Sequence, residues 1–136
     1  MHIEHTKNST NITGVKEVSS FSEFVEYVVD IYSSAHINPD YWLTRREKDF
    51  FISTIICLMN DIDDPISEEG VKLYQEYFSP KATPASIGDY INRCRNKYWI
   101  KYDKRKRLIE VPDLFIKIVN GATNISFDLN FTLNVK

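Results

Sequence analysis

Four helix-start signals, each followed by apolar residues at helical spacing, constrain the fold of this chain more than any other feature of its sequence. Each signal is a Ser or Thr whose side chain can accept a hydrogen bond from a free backbone amide in the first helical turn. The four residues are Ser20, Thr44, Ser67 and Thr83. A glutamate follows each of the first two at the spacing of a capping box, and Thr83 precedes a proline suited to the first turn. The sequence therefore predicts four helices between residue 20 and about residue 97.

The second and fourth helices differ in how much of their surface is apolar. The second should be the buried central helix, because apolar residues cover more than half of its circumference. Its apolar residues include Phe50, Phe51, Ile55, Ile56, Leu58 and Met59. The fourth helix has two contrasting sides. One side carries Ile87, Ile91, Cys94 and Tyr98, and the opposite side carries Ala85, Ser86, Asp89, Asn92, Arg93 and Asn96.

A β-hairpin is predicted directly after the fourth helix. Residues 98–102 alternate and are rich in aromatic and β-branched types, and residues 108–111 form a second short stretch of this kind before Pro112. The turn between them lacks the Asn-Gly or Asp-Gly pair of a tight two-residue loop, so we expect a longer, mobile tip. We expect Tyr98, Trp99 and Tyr102 to pack the hairpin against the helices rather than to stack on nucleobases.

The two ends of the chain differ from its middle. Residues 1–18 are polar and have no sustained periodicity, so we interpret them as an arm without a core of its own. A short apolar stretch at residues 114–119 is expected to form a helix or a turn. Residues 125–135 alternate apolar and polar side chains, which predicts a long half-buried strand that needs a partner strand.

These predictions together give a mainly α fold with a small β-hairpin, an N-terminal helix and a C-terminal β-strand. The predicted divisions are an arm at 1–18, a helix and connector at 19–43, a compact domain at 44–112 and a C-terminal segment at 113–136. A length of 136 residues, with 43% of them hydrophobic, is enough for one core. No apolar run approaches the ~20 residues that cross a bilayer. We therefore expect no membrane contact and a cytoplasmic location.

The charge of the chain is concentrated in one segment. Residues 92–107 hold eight bases and one acid, although the formal net charge of the whole chain is −2. The rest of the chain is therefore strongly acidic. An acidic body that carries one basic element orients itself in the field of a polyanion such as a nucleic acid.

Three features occur in this order along the chain: residues 43–47 at the start of the first core helix, residues 86–100, and the basic hairpin. With these features, residues 44–112 resemble the winged-helix (winged helix-turn-helix) family of DNA-binding domains. A glycine that commonly follows the recognition helix of this family is absent here, and Lys97, Tyr98 and Trp99 occupy the corresponding stretch.

The resemblance implies that the protein binds duplex DNA, with residues 84–97 as the recognition helix in the major groove and the hairpin as the wing. The residues that it implies on the groove side of the helix are Ser86, Asp89, Tyr90 and Arg93. The nucleic-acid contacts that we derive from it are Ser86, Asn92, Arg93, Lys97, Lys101, Lys104, Arg105, Lys106 and Arg107. Basic side chains at these positions can neutralise phosphates and release counterions, which supplies most non-specific affinity.

A catalytic role is not expected. The sequence contains no Gly-rich phosphate loop, no HExxH pair and no GxSxG elbow. Cys57 and Cys94 have apolar neighbours and no histidine close in sequence, so we interpret them as reduced core thiols rather than metal ligands. We therefore expect a non-enzymatic regulator or accessory factor that uses no cofactor and no metal.

An alternative function follows from the ends of the chain. The predicted C-terminal strand could pair with another protein chain, as a homo- or hetero-oligomer, in a large assembly such as a phage or viral particle. Its interface candidates are Ile125, Phe127, Leu129, Phe131 and Leu133. The winged helix would then be a packing module, and the protein would be found in the host-cell cytoplasm or the virion. The sequence leaves both functions open.

Overall fold

The computed structural model of this chain describes the backbone of residues 2–6, 9–13, 20–122 and 126–129, and the side chains of residues 20–122. Its helices are α1 (Phe21–His36), α2 (Arg45–Met59), α3 (Glu68–Tyr77), α4 (Pro84–Asn96) and α5 (Asp113–Val119). Its strands are β1 (His2–Thr6), β2 (Ser9–Thr13), β3 (Lys101–Asp103), β4 (Leu108–Glu110) and β5 (Ser126–Leu129). A short 3-10 turn, Pro39–Tyr41, lies between α1 and α2. None of the described helices is long and apolar enough to span a membrane.

The mainly helical fold with a small hairpin is confirmed, and the helices begin where the sequence predicts. Ser20 and Ser67 accept hydrogen bonds from backbone amides of the first turns of α1 and α3. Thr44 forms the predicted capping box with Glu47. Thr83 also forms a capping box, but its partner is the hydroxyl of Ser86. Each cap satisfies an amide that has no partner within its helix, which places the helix start at that residue.

The core is built around α2, which contacts α1, α3, α4 and α5. The prediction of a buried central helix is therefore confirmed. Phe50, Phe51 and Ile55 are completely buried, and full burial of one such side chain contributes about 2 kcal/mol to stability. Met59, at the last position of the helix, is 39% exposed.

An aromatic cluster joins the hairpin to three of the helices. Trp99, which is 1% exposed, meets the ring of Phe51 edge-on at 5.3 Å and that of Tyr32 at 5.4 Å. Phe115 of α5 contacts the same rings, and its centroid lies 4.8 Å from that of Phe51. The indole Nε1 of Trp99 donates to the carbonyl of Tyr41 at 2.7 Å. This packing holds the start of the hairpin on α1, α2 and α5.

The hairpin itself pairs β3 with β4 in antiparallel register, with Tyr102 opposite Ile109. Its loop, residues 104–107, is longer than a two-residue turn, as predicted. Asp103 organises the loop, because its carboxylate accepts hydrogen bonds from the amides of Arg105 and Lys106 at 2.9 and 3.2 Å. Arg107 returns the chain to β4 with a φ of 52°.

The N-terminal residues differ from the predicted arm. β1 and β2 form an antiparallel pair, and β2 also pairs with β5, with Ile12 opposite Phe127. The three strands make a sheet in the order β1-β2-β5. The interpretation of 1–18 as an arm did not include these two strands, 2–6 and 9–13. The pairing of β2 with β5 could not be inferred from residues 1–18 alone, because it joins segments more than a hundred residues apart.

The predicted C-terminal strand is confirmed for Ser126–Leu129, which includes the interface candidates Phe127 and Leu129. The other candidates, Ile125, Phe131 and Leu133, lie outside the described residues. The short apolar stretch before it is a helix, α5, rather than a turn.

We expect Gly70→Ala to lower the free energy of unfolding by about 1–3 kcal/mol. A Cβ at Gly70 lies 2.5 Å from the carbonyl oxygen of Pro65, so α3 or the preceding turn has to move. Gly88→Ala is the matched control, because its Cβ meets only the end of the Ile66 side chain at 3.4 Å. We expect that control to be neutral or stabilising by up to about 1 kcal/mol. Urea unfolding of both variants measures the difference, and equal midpoints contradict the prediction.

Candidate nucleic-acid interface

Helix α4 presents one side to the core and the other to solvent. Ile87, Ile91 and Cys94 are at most 3% exposed and pack inward, as predicted. The exposed residues of the helix are Pro84, Ala85, Asp89, Asn92, Arg93, Arg95 and Asn96. Tyr90, which was expected on the groove side, is only 9% exposed. That expectation is wrong because position 90 lies beside the apolar stripe, where the ring contacts Phe50 and Tyr74.

The predicted contact residues on α4 have partners within the chain. The guanidinium of Arg93 forms an ion pair with Asp89 one turn earlier, at 3.0 Å. The amide oxygen of Asn92 accepts a hydrogen bond from Arg95 at 3.1 Å. These contacts involve exposed side chains, and such pairs contribute little to stability and exchange readily for other partners.

Ser86 has a structural role at the start of α4. Its hydroxyl donates to the carbonyl of Thr83 at 2.8 Å and accepts from the amide of Thr83 at 2.9 Å. The hydroxyl is therefore engaged in the capping box, and the structure does not leave it free as a predicted DNA contact.

Lys97 is directed into the protein rather than toward solvent. Its ammonium lies 2.6 Å from the carboxylate of Glu47 and 3.0 Å from the carbonyl of Trp42. The side chain of Glu47 is 4% exposed and that of Lys97 is 23% exposed, so a half-buried ion pair joins the end of α4 to the start of α2. The expectation that Lys97 contacts nucleic acid does not fit this arrangement. Moving its ammonium to a phosphate would leave the buried carboxylate of Glu47 without a counterion.

The pKa of Glu47 is lowered from its ordinary value. Burial alone raises it, but the hydrogen bond from Lys97 and those from Thr44 outweigh burial and favour the ionised carboxylate. Glu47 therefore serves two neighbours at once, as acceptor of the Thr44 amide in the capping box and as counterion of Lys97.

The hairpin carries the bases that are open to solvent. Lys101, Lys104, Arg105, Lys106 and Arg107 are all exposed. Within residues 20–122, no carboxylate lies at ion-pair distance from any of these five side chains. Lys101 lies on β3, opposite Glu110 of β4. The other four basic residues, 104–107, form the loop between the two strands. The structure thus places a compact, unpaired positive charge at the tip of the hairpin.

The inner side of the hairpin is fixed to the loop after α2. The hydroxyl of Tyr102 donates to the carboxylate of Asp64 at 3.1 Å, and the same oxygen accepts from the amide of Ile66. Burial, followed by the charge of Asp64, raises the pKa of Tyr102. Trp99 and Tyr102 therefore pack the hairpin against the body of the protein, as predicted.

Tyr98 departs from both of its predicted positions, on the inner side of α4 and in the packing of the hairpin. It is 79% exposed and has a φ of 66°. Its amide donates to the carbonyl of Arg95, and the next amide donates to that of Cys94, both at 3.0 Å. These are the two hydrogen bonds of a Schellman motif, in which glycine usually holds the left-handed position. The missing glycine was visible in the sequence, but the direction of the Tyr98 ring was not.

The two cysteines are buried and unpaired. Burial raises the pKa of Cys57 to about 11 and that of Cys94 to about 12. Both are therefore protonated at neutral pH and poor nucleophiles. Within the described part of the chain, no group of three His, Cys, Asp or Glu side chains is arranged to hold a metal ion.

Comparisons of this chain with protein-family models, with curated proteins and with solved structures gave no match.

We expect Glu47→Gln to lower the free energy of unfolding at pH 7 by about 1–3 kcal/mol. The amide can still accept the Thr44 hydrogen bond, but it leaves Lys97 without a counterion. Because the folded-state pKa of Glu47 is lowered, its contribution is complete above the unfolded value of about 4.3 and is lost as the pH falls through the folded value. Urea unfolding between about pH 7 and pH 3 should therefore show a shallower acid dependence for the variant than for the wild type.

Asp30→Asn is the control for this prediction. It also removes a carboxylate that pairs with a lysine, Lys48, but the Asp30 side chain is 53% exposed. The control should change stability by less than about 1 kcal/mol. Equal losses in the two variants, or an unchanged acid dependence in Glu47→Gln, contradict the assigned role of Glu47.

Proposed function

We propose that this protein is a non-enzymatic winged-helix protein that binds duplex DNA as a regulator or accessory factor. In this proposal α2, α3 and α4 form the three-helix core, α4 is the recognition helix, and the β3–β4 hairpin is the wing. The observation that carries the proposal is a run of four exposed basic residues, 104–107, at the tip of the hairpin that follows α4. None of the four has an ion pair within residues 20–122. Such a tip is suited to phosphate contacts, which position a protein on DNA without reading sequence.

The order and spacing of the elements support this proposal. A short connection, residues 78–83, joins α3 to α4, and the side chain of Gln75 donates to the carbonyl of Ala82 at 2.7 Å. Both α3 and α4 pack on α2. A winged helix consists of two helices that pack on a third helix, with a hairpin after the second of the two.

The exposed side of α4 supports weak rather than strong sequence reading. Arg93 and Asn92 have the donor groups that read base edges in the major groove. The guanidinium of Arg93 must leave its ion pair with Asp89 before it can contact a base edge. Asp89 also brings a negative charge toward the phosphates. We therefore place most of the binding free energy in the hairpin and a smaller, sequence-dependent part in α4.

The alternative role, as a subunit of a large assembly, has less support. It was based on a C-terminal strand in need of a partner. The described part of that strand, Ser126–Leu129, pairs with β2 of the same chain. Pairing with another subunit is therefore not needed to explain those four residues.

We expect the double variant Lys104→Ala/Lys106→Ala to bind a random-sequence duplex more weakly than the wild type and with a flatter salt dependence. Each phosphate contact that is lost lowers the slope of log K against log salt by about 0.9, so the slope should fall by about 2. Fluorescence anisotropy with a labelled duplex at several salt concentrations measures both quantities.

Lys72→Ala/Lys117→Ala is the matched control. It removes the same charge from exposed positions on α3 and α5, outside the proposed interface. The control should keep the wild-type slope. If both double variants lose the same affinity, binding follows net charge alone and the hairpin is not the contact.

We expect Asp89→Asn to strengthen duplex binding by roughly two- to fivefold at low salt. The substitution removes a like charge from the DNA-facing side of α4 and releases Arg93 from its ion pair. Glu69→Gln on α3 makes the same change in net charge at an exposed position away from the interface. An equal gain in both variants, measured by the same anisotropy titration, contradicts a position of Asp89 near the phosphates.

A further inference from the structure

Tyr98 is an exposed aromatic residue in a backbone conformation that disfavours it. Of the large apolar side chains exposed in the described residues, its side chain is the most exposed, at 79%. Its φ of 66° lies in the left-handed region, where a Cβ is sterically unfavourable and glycine is not penalised. Neither burial nor a core contact offsets this cost. A strained residue whose side chain does not serve the core is a candidate for a functional contact.

The surroundings of Tyr98 form a supported aromatic surface. The rings of Tyr41 and Tyr98 meet edge-on at 5.5 Å, and Trp42 follows directly in the chain. Tyr41, Trp42 and Tyr98 are called the aromatic patch below, and the first two are 40% and 43% exposed.

Hydrogen bonds to the body of the protein hold the patch in place. The Trp42 indole donates to the carbonyls of Ser33 and Ile37 at 3.1 and 2.9 Å. The backbone carbonyls of Tyr41 and Trp42 accept from the side chains of Trp99 and Lys97. Tyr41 and Trp42 are therefore held in place, and the Tyr98 ring rests edge-on against Tyr41, which lowers the entropic cost of binding a planar ligand.

The charges beside the patch favour a nucleic acid as its ligand. Arg95 and Lys101, each three residues from Tyr98, are exposed and have no ion pair within residues 20–122. The proposed recognition helix ends at the patch and the proposed wing begins there. Tyr98 also borders a groove whose lining includes Asp63, Glu110 and Asp113, and these carboxylates would repel a phosphate that entered the groove itself.

We propose that Tyr98 is a stacking site for an unpaired nucleobase, and that the preferred ligand is a duplex with a short single-stranded extension. This inference rests on the proposed DNA-binding function. Bases inside a duplex already stack on each other, so a tyrosine ring at the edge of the interface can only accept a base that has left the stack. The phosphates of the extension contact the basic side chains of Arg95 and Lys101 beside the patch, while α4 and the hairpin bind the duplex.

The test compares three labelled probes that share one duplex. The first has blunt ends, the second carries an extension of five thymidines, and the third carries five abasic residues with the same phosphates. We expect the wild type to bind the thymidine probe about tenfold more tightly than the abasic probe. Tyr98→Ala should abolish this difference and bind the blunt duplex like the wild type.

Three further variants serve as controls. Tyr98→Phe keeps the ring and should keep the preference. Tyr98→Gly removes the ring and suits the positive φ, so it should lose the preference while the urea midpoint rises. Tyr77→Ala removes another exposed tyrosine, 55% exposed on α3, and should behave like the wild type.

Each remaining outcome overturns part of the scheme. Equal affinity of the wild type for all three probes refutes stacking and leaves duplex binding intact. A preference that survives in Tyr98→Ala and Tyr98→Gly also refutes it. Failure of all three probes to bind refutes both stacking and the proposed function. A further outcome is that the wild type shows no preference among the probes but binds a lysine-rich amphipathic peptide that Tyr98→Ala does not bind. In that case Tyr98 belongs to a protein-binding groove, and stacking is refuted.

Discussion

The packing of the Trp99 indole is the interaction on which the rest of this structure depends. Its ring lies edge-on against side chains of α1 and α2 and contacts Phe115 of α5, and its Nε1 reaches the carbonyl of Tyr41. Because Trp99 stands two residues before β3, burying it sets where the hairpin leaves the body of the protein. An alanine at this position would remove one of the largest fully buried side chains and its contacts with α1, α2 and α5.

A second interaction, between Glu47 and Lys97, decides how the positive charge of residues 92–107 is distributed. The ion pair takes one base out of the segment and uses it to hold α4 on α2. The Arg93–Asp89 pair partly neutralises another base on the surface of α4. What stays open is concentrated in the hairpin, where the backbone turn organised by Asp103 presents its bases to solvent. The open positive charge of this segment therefore lies mainly in a loop rather than on the helix.

This division suggests how the proposed activity would work. A hairpin of unpaired bases gives salt-sensitive attachment to phosphates, and a moderately polar helix adds limited sequence reading. The rest of the chain is acidic in sum, and this asymmetry of charge would favour one binding orientation. In the stacking proposal, the aromatic patch would add a preference for the form of the nucleic acid rather than for its sequence, because a ring stacks on any nucleobase that is free.

Local interactions made much of this protein predictable from its sequence. The starts of the described helices α1 to α4, the buried stripe of α2 and the pairing of β3 with β4 depend on residues a few positions apart, so composition and spacing are enough to indicate them. The exposure of the basic residues in the hairpin loop was also predictable from nearby residues, because a charged turn between two short strands has to be exposed.

The roles of Tyr90, Lys97 and Tyr98, and the pairing of β2 with β5, depend on long-range contacts. Tyr90 is buried because Phe50 and Tyr74 from other helices lie beside it, and Lys97 is neutralised by a carboxylate fifty residues earlier. Tyr98 turns outward because burying the adjacent Trp99 requires the chain to reverse with a positive φ. Helices α1 to α4, the hairpin and the basic segment could be read from the chain alone, since they follow from neighbouring residues. Which bases and rings remain open to a ligand depends on contacts between distant segments, and these exist only once the chain has folded.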